Sequence, residues 1–164
     1  MTCWQRRAVA VVMIIGTCLL AACGRQQLSL LDGGTLAWES LRGRWVVINY
    51  WAYWCKPCIE EIPELNLLAS TYPEQVAVLG VNFDGVQPPL LEQQRQQLQI
   101  EFDVFVHDPS QQLALERPAV LPTTLIFSPD GKLQATLAGP QTAQALAQAM
   151  GLISPAAAPL SSTP

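Results

Sequence analysis

The sequence lacks several features, and each absence argues against a class of protein. Basic residues do not predominate, since thirteen Asp and Glu outnumber nine Lys and Arg. This argues against nucleic acid as a partner, because such binding depends on basic surface. No internal repeat is evident, and residues 28–153 are enough for one domain with a single core. The apolar run at residues 8–20 is shorter than the about 20 apolar residues that a membrane-spanning helix needs.

The start of the chain predicts export. Two arginines precede the apolar run, and the run ends in "LAAC", residues 20–23. A basic start, a short apolar segment and small residues describe a secretory signal, here residues 1–22. "LAAC" also resembles a bacterial lipobox. We therefore expect lipid attachment at Cys23, a tether at residues 23–27, and a membrane-anchored lipoprotein facing the periplasm or extracytoplasmic space. An ordinary signal peptide or an uncleaved anchor is the alternative.

The cysteines then leave a single pair. Of five cysteines, Cys3 and Cys18 lie in the predicted signal and Cys23 carries the predicted lipid. Cys55 and Cys58 remain, and one pair is too few for a disulfide-rich scaffold. Three interpretations stay open for them: a redox couple, half of a metal site, or a structural disulfide. A bridge that closes so short a loop at a helix start stabilises little, which argues against the third.

Apolar patterning predicts an α/β fold in which strands alternate with helices. The expected order is a hairpin around residues 32–34, a buried strand "RWVVINYWA", a helix from Lys56 to about Thr71, a second buried strand "VAVLGVNF", a Gln-rich helix at 88–98, a short strand at 102–108, a short helix Gln111–Glu116, a strand-turn-strand at 123–139 and a closing helix at 140–151. The alternation implies a parallel core with the last hairpin added antiparallel. Residues 154–164, rich in Pro, Ala and Ser, predict a disordered tail.

The cysteine pair lies where a long strand ends and a helix opens, which is the context of a thioredoxin-like redox motif. "WCKPC" resembles the thioredoxin active site. "VINYWAYWCKPCIEEIP", "LPTT" at 121–124 and "SPDGK" at 128–132 together resemble the TlpA/ResA-like branch, which includes membrane-tethered reductases of cytochrome c maturation. The resemblance implies a thioredoxin fold: a central mixed β-sheet flanked by helices, with an N-terminal β-hairpin extension over a domain at residues 28–153.

The resemblance also implies an activity. It predicts an extracytoplasmic thiol-disulfide oxidoreductase without a cofactor, which acts on protein dithiols and disulfides such as those of apocytochrome c. A membrane electron donor would reduce it, and we expect a monomer. The same fold serves reductants and oxidants, so a disulfide-forming oxidase is an alternative. A second alternative is a copper-binding SCO-like protein that would use His107, the only histidine. Those proteins have three residues between their cysteines, whereas this chain has two; we expect no metal site.

The two cysteines have different expected roles. A helix N-terminus offers unpaired N–H groups and a partial positive charge, which favour the thiolate of Cys55. Lys56 adds a positive charge, and Pro57 is tolerated in a first helical turn. We therefore expect Cys55 to be the exposed attacking thiol, and Cys58, deeper in the helix, to resolve the mixed disulfide. Trp54 is expected to be an exposed wall of the site.

Two further residues follow from the resemblance. Pro122 is expected to be cis and to lie against the cysteine pair, and the peptide group of Leu121 to pair with a substrate backbone. Cytosolic thioredoxins carry a buried aspartate where this chain has Asn49, which cannot take up a proton near neutrality. Glu61, three residues after Cys58, shares its helical face and is the expected proton acceptor. A solvated surface acid is the alternative for Glu61.

Overall fold

The computed structural model describes residues 26–154. The predicted signal, the predicted lipid attachment at Cys23 and nearly all of the predicted tail lie outside the described residues. The elements in chain order are β1 (Gln27–Ser29), β2 (Thr35–Ala37), a short 3-10 helix (Trp38–Leu41), β3 (Trp45–Trp51), α1 (Lys56–Thr71), β4 (Val76–Asn82), α2 (Leu90–Gln97), β5 (Asp103–Phe105), β6 (Thr123–Phe127), β7 (Leu133–Ala138) and α3 (Ala143–Ala149).

Five strands form one mixed sheet in the order β5-β4-β3-β6-β7. β3 pairs in parallel with β4, and β4 pairs in parallel with β5. β6 is antiparallel to β3, and β7 is antiparallel to β6. This is the predicted parallel core with an antiparallel hairpin added at its end, and it confirms the predicted thioredoxin fold. The continuous apolar runs of β3 and β4 arise because helices or other packing cover both faces of a central strand.

Alternation along β3 divides its side chains between two apolar clusters. Val47 and Trp51 join the cluster that contains α1 and both cysteines. Ile48 and Tyr50 join a second cluster on the opposite face of the sheet. Asn49 lies between Val47 and Trp51 in this alternation, so the strand presents it to α1. The first cluster thus surrounds the cysteine pair with apolar packing, and Asn49 introduces a buried polar group on this face of the sheet.

The predicted N-terminal hairpin is present, and it covers one edge of the sheet. β1 and β2 are antiparallel. The backbone beyond β1 then bonds to β5: Leu31 N donates to Val104 O at 2.9 Å, and Val106 N donates to Ser29 O at 2.9 Å. β1 begins at Gln27.

One predicted element is wrong. Residues Gln111–Glu116 form turns and not a helix. Ala114 has a φ of 53°, a left-handed conformation that a right-handed helix does not accommodate. Leu115 N reaches back to Ser110 O at 2.8 Å, which closes a wide turn. Within residues 26–154, no helix is long and apolar enough to cross a membrane.

Candidate active site

A disulfide joins Cys55 and Cys58, whose Cα atoms are 5.3 Å apart. Cys58 is 1% exposed and Cys55 4% exposed. Cys58 is the deeper of the two, as expected. The expectation of an exposed Cys55 is not met in this disulfide form: its sulfur is bonded to Cys58, and the residue follows a turn closed by Cys55 N and Ala52 O at 3.1 Å. A partner that attacks the bridge must therefore approach through the surface around Cys55.

Cys55 is the N-cap of α1. The helix begins at Lys56 and has Pro57 in its first turn. The carbonyl of Cys55 accepts the first helical hydrogen bond, from Ile59 N at 3.1 Å. The N–H groups of the first turn have no partner within the helix, and they give the helix start a partial positive charge. The sulfur of Cys55 therefore lies at the end of α1 that stabilises a thiolate.

Exposed apolar side chains surround the disulfide. Trp54 is 67% exposed, Tyr53 43% and Val120 57%, and Lys56 and Pro57 are also exposed. Trp54 is fixed by its indole Nε1, which donates to Asp84 Oδ2 at 2.9 Å. The expected exposure of Trp54 is confirmed. Exposed apolar groups beside a redox centre offer contact area to a protein partner.

Pro122 follows a cis peptide bond from Leu121, as expected. Tyr50 pairs with Thr123 in the antiparallel β3–β6 ladder, so Pro122 lies at the end of the sheet where β3 gives way to the cysteine turn. Leu121 packs against the cluster that contains both cysteines. The cis-proline segment and the disulfide therefore lie at the same end of the fold.

Glu61 is 1% exposed, so it is not the solvated surface acid of the alternative. Its Oε2 accepts a hydrogen bond from Asn49 Nδ2 at 3.0 Å. Its Oε1 accepts from the backbone N of Gln141 at 2.9 Å and, at a longer 3.4 Å, from Thr124 Oγ1. Burial raises the pKa of the Glu61 carboxyl above its ordinary value, while the hydrogen bonds from Gln141, Asn49 and Thr124 act in the opposite direction. All three donors are neutral, so Glu61 has no cation to hold it in the charged form.

Its neighbour Glu60 is exposed and lies 3.7 Å from Lys56 Nζ through its Oε1. The two adjacent glutamates therefore have opposite environments, because consecutive residues point to different sides of a helix. Glu61 shares its side with Cys58, one turn earlier. Glu61, and not Glu60, is therefore buried on the same side of the helix as Cys58.

A second polar network lies on the opposite face of the sheet. The hydroxyl of Tyr50 donates to Asp108 Oδ1 at 3.0 Å, and Arg117 Nε donates to Asp108 Oδ2 at 3.1 Å. Arg117 also donates to the carbonyl of Phe83 and lies over the Phe83 ring, 4.0 Å from its centroid. Burial, and then Asp108, raise the pKa of Tyr50, so its hydroxyl stays a donor. The network connects β3 to the segment that leads into Pro122 and to the segment that holds Asp84.

Three partners of Glu61 are not among the residues predicted to bond to it. The sequence identifies Asn49 only as a residue that cannot accept a proton, although a polar residue inside an apolar strand, on the side facing α1, is a signal that it bonds there. Thr124 had a weaker signal, as a hydroxyl in a buried strand. Gln141 had none, because it acts through its backbone N–H. In the part of the chain that the structure describes, no group of three His, Cys, Asp or Glu side chains could hold a metal ion.

The fold and the Cys55–Cys58 bridge define a thiol-disulfide oxidoreductase of the thioredoxin-like class. The sequence profile of the AhpC/TSA family matches residues 23–136, and the chain belongs to that family. The thiol-disulfide oxidoreductase ResA of Geobacillus thermodenitrificans strain NG80-2 is 32% identical over 130 residues, which cover 78% of this chain and 74% of that protein.

Two more relatives agree. The thioredoxin-like protein YneN of Bacillus subtilis strain 168 is 27% identical over 133 residues, which cover 76% of this chain and 74% of that protein. Among solved structures, the exposed lipoprotein thioredoxin Etrx1 of Streptococcus pneumoniae strain TIGR4 superposes with a TM-score of 0.67 at 23% identity, over 78% of this chain and 98% of that chain. The structural likeness supports the fold, and the sequence likeness supports the class of enzyme.

Proposed function

We propose that this protein is a membrane-anchored, extracytoplasmic reductant of protein disulfides. The observation that carries the proposal is the Cys55–Cys58 bridge at the start of α1, at the same end of the sheet as the cis peptide bond before Pro122. The start of α1 supplies the partial positive charge that stabilises the thiolate of Cys55.

The reduced protein acts in two steps. The thiolate of Cys55 attacks a sulfur of the partner's disulfide, which forms a mixed disulfide and releases one partner thiol. The thiolate of Cys58 then attacks Cys55 Sγ, which forms the Cys55–Cys58 bridge and releases the second partner thiol. The partner gains two electrons and the enzyme loses two. A membrane electron donor returns the enzyme to its dithiol form.

Glu61 takes the proton from Cys58 during the second step. Burial of Cys58 disfavours its thiolate, so a base must accept its proton. Glu61 is buried one helical turn away, and the raised pKa of its carboxyl brings it closer to the range that general base catalysis needs. The absence of any cation among its hydrogen-bond donors supports this role, because a paired cation would hold the carboxylate in its charged form.

The partner is an extended segment of protein beside a disulfide. Trp54, Lys56 and Pro57 are exposed around Cys55, and Leu121 lies before the cis bond, where its peptide group would pair with the partner's backbone. Apocytochrome c is the candidate substrate by resemblance to the TlpA/ResA-like branch. The named relative ResA, a thiol-disulfide oxidoreductase, supports the reaction type.

The reduction potential of the Cys55–Cys58 couple tests the direction of electron flow. Thioredoxin lies near −270 mV and the oxidant DsbA near −120 mV. We expect a value in the reducing half of that range, from equilibration with glutathione or dithiothreitol followed by thiol alkylation. A value near the DsbA end would favour the alternative, a disulfide-forming oxidase. Tight copper binding by the reduced protein, without catalysis of disulfide exchange, would favour the SCO-like alternative.

Cysteine variants test the roles of the two sulfurs. Cys58→Ser should accumulate mixed disulfides with partner proteins, because the resolving thiol is missing. Cys55→Ser should form none, since Cys58 is the more deeply buried sulfur. Non-reducing electrophoresis and mass spectrometry of trapped adducts measure both. Trapping by Cys55→Ser alone would reverse the assignment.

The membrane anchor is a separate part of the proposal and has its own test. The "LAAC" sequence at residues 20–23 supports lipid attachment to Cys23, and the similar Etrx1 is itself named a lipoprotein. The full chain expressed in bacteria should carry a diacylglyceryl group on Cys23 by intact mass and partition with membranes. Cys23→Ser should lose both the added mass and the partitioning. An unlipidated wild-type protein would refute the anchor without affecting the redox proposal.

A further inference from the structure

Three buried side chains form a closed ring of hydrogen bonds beneath the disulfide. Asn49 Nδ2 donates to Glu61 Oε2 at 3.0 Å and to Thr124 Oγ1 at 3.0 Å. Thr124 Oγ1 in turn donates to Glu61 Oε1 at 3.4 Å. Asn49 and Glu61 are each 1% exposed, and Thr124 is fully buried. The ring therefore exchanges no hydrogen bonds with bulk water.

One acceptor of this ring has no partner. Asn49 Oδ1 is buried and makes no hydrogen bond within the described residues. Buried polar atoms are nearly always paired, so an unpaired one needs a reason. The arrangement fits an ionised carboxylate at Glu61. It can only accept hydrogen bonds, so it draws the NH₂ group of Asn49 toward itself and leaves the amide oxygen on the other side.

Protonation of Glu61 changes which atom of the Asn49 amide can form a hydrogen bond with Oε2. A neutral carboxyl has one O–H to donate, and its Oε2 would then face an NH₂ group that also donates. A half-turn of the Asn49 amide about its Cβ–Cγ bond exchanges Nδ2 and Oδ1 with almost no change of shape. The hydroxyl of Thr124 can donate as well as accept. Each of the three groups can therefore reverse its role while the heavy atoms keep their places.

We propose that Asn49 is a positioning residue whose amide reverses when Glu61 takes up a proton, so that Oε2 is the oxygen that carries it. In the reversed ring, Glu61 Oε2–H and Thr124 Oγ1–H both donate to Asn49 Oδ1. Gln141 N continues to donate to Oε1, 2.9 Å away, since the carbonyl oxygen of a neutral carboxyl is still an acceptor. This device rests on the proposed role of Glu61 as the proton acceptor.

The proton is accounted for at each step. Cys58 Sγ–H gives its proton to Glu61 Oε2 and becomes a thiolate. The thiolate attacks Cys55 Sγ in the mixed disulfide, the Cys55–Cys58 bond forms, and the partner leaves as a thiolate. Glu61 then releases the proton, which the departing partner thiolate takes up directly or through water, and the amide of Asn49 returns to its first orientation. The ring offers hydrogen bonds to both protonation states of Glu61, which a fixed donor or a fixed acceptor could not do.

No other charged group competes for Glu61. The titratable groups on its own helix face are Cys58 and Glu64, and Glu64 Oε2 is occupied by Ala143 N at 2.9 Å. β3, β6 and the segment before α3 contribute only the neutral partners Asn49, Thr124 and Gln141. The orientation of Asn49 is thus controlled by the protonation of Glu61 alone.

Nuclear magnetic resonance of the whole protein in its disulfide form tests the reversal directly, since neither cysteine titrates in that form. The Glu61 ¹³Cδ shift reports its protonation as the pH is varied. Cross-relaxation between the Asn49 side-chain NH₂ and the Thr124 Hβ reports the direction of the amide. We expect this signal above the Glu61 midpoint and its loss below, with Asn49 ¹⁵Nδ2 titrating at the same midpoint. An unchanged signal across that midpoint overturns the proposal, and this measurement needs no variant.

Variants separate this inference from the proposed function. Asn49→Leu, of similar size, removes the donor to the charged form and should raise the Glu61 midpoint by about one pH unit. The pH profile of disulfide exchange should shift by the same amount, while Glu60→Gln should keep the wild-type midpoint. An unmoved Glu61 midpoint in Asn49→Leu refutes the role of Asn49. Equal exchange rates for Glu61→Gln and wild type would instead refute the catalytic role of Glu61, whatever the amide does.

Discussion

Asn49 and Tyr50 are consecutive residues of β3, and each anchors a polar network on its own face of the sheet. On one face, Asn49 contacts Glu61, a buried carboxyl whose hydrogen-bond donors are all neutral. On the other face, Tyr50 contacts Asp108, a carboxyl that also binds the guanidinium of Arg117. The same strand thus bonds to two carboxyls: Asn49 bonds to Glu61, which has no cation beside it, and Tyr50 bonds to Asp108, which is paired with Arg117.

The difference shows that a neighbouring cation decides whether a carboxyl in this fold is suited to proton exchange or to connecting segments of the chain. Without a cation, burial dominates and raises the proton affinity of Glu61, which suits a group that accepts and releases a proton. With a cation, Asp108 acts as a brace: it connects β3, through Arg117, to the segments that carry Pro122 and Asp84. The buried network therefore has the properties of a proton acceptor, and the braced network fixes the surface segments that Arg117 connects.

The substitution with the largest expected effect removes the carboxyl of the buried network. Glu61→Gln keeps the size of the side chain and removes the base, so disulfide exchange should slow about 10- to 1000-fold. The pH profile of the rate should lose one ionisation. Stopped-flow measurement of the fluorescence change on oxidation and reduction gives both quantities.

Glu60→Gln is the matched control, because Glu60 lies next in sequence but is exposed and faces Lys56. It should change the rate by less than about twofold, as expected for an exposed ion pair. Equal rates and equal pH profiles for wild type and Glu61→Gln would remove Glu61 from the mechanism.

A second prediction sharpens the comparison, because the two carboxyls should affect stability with opposite signs. The pKa of Glu61 is raised in the folded state above an unfolded value of about 4.3. The folded state therefore binds this proton more tightly. The resulting stabilisation is complete below the unfolded pKa and is lost as the pH rises through the folded pKa. Wild type loses this stabilisation as the pH rises and Glu61 becomes charged, whereas Glu61→Gln, which stays neutral, does not.

Glu61→Gln should thus be more stable than wild type at pH 7, with the advantage disappearing below about pH 4. Asp108→Asn should be less stable at pH 7 by about 1–2 kcal/mol, because it weakens the hydrogen bonds from Tyr50 and Arg117. Denaturant unfolding of the disulfide forms at several pH values measures both. A destabilised Glu61→Gln at pH 7 would contradict the assignment of burial as the dominant effect on Glu61.

The substitution with the smallest expected effect weakens the Asp108–Arg117 pair. Arg117→Gln removes the ion pair with Asp108 and the contact with the Phe83 ring, and should lower stability by about 1 kcal/mol. Reduction of a small disulfide by the variant should stay near the wild-type rate, while the KM for a protein disulfide should rise. Arg117→Lys keeps the charge but not the planar guanidinium. Its KM for a protein disulfide should therefore lie between the values of wild type and Arg117→Gln. A rise in KM for both substrates would place Arg117 in the reaction itself.

Much of the fold was predictable because its signals are local. The apolar runs of β3 and β4, the periodicity of α1 and the turn of the N-terminal hairpin each lie within a short stretch of sequence. The helix predicted at Gln111–Glu116 is wrong because Ala114 has a left-handed backbone in a wide turn after β5. Alanine favours helices, so its presence does not indicate such a turn.

The site was predictable in part. The two cysteines and the cis bond before Pro122 follow from motif and resemblance. The environment of Glu61 does not, because it depends on Thr124 and Gln141, which are distant in sequence and meet Glu61 only after the sheet has formed. The Arg117 brace depends in the same way on β3, β5 and the segment before β6 coming together. Contacts of this kind are set by tertiary packing, which no short window of sequence contains.

The N-terminal hairpin has a consequence for how copies of this chain behave together. β5 is a three-residue strand at the margin of the sheet, and its outer backbone groups are occupied by Ser29 and Leu31. A bare strand margin is a template on which a second chain can add its own strand, the first step toward fibres. A truncated chain that starts after Leu31 would keep Cys55, Cys58 and Glu61 but offer this template to its neighbours. The hairpin thus protects this strand margin from pairing with a second chain, a role separate from the redox chemistry of the cysteine pair.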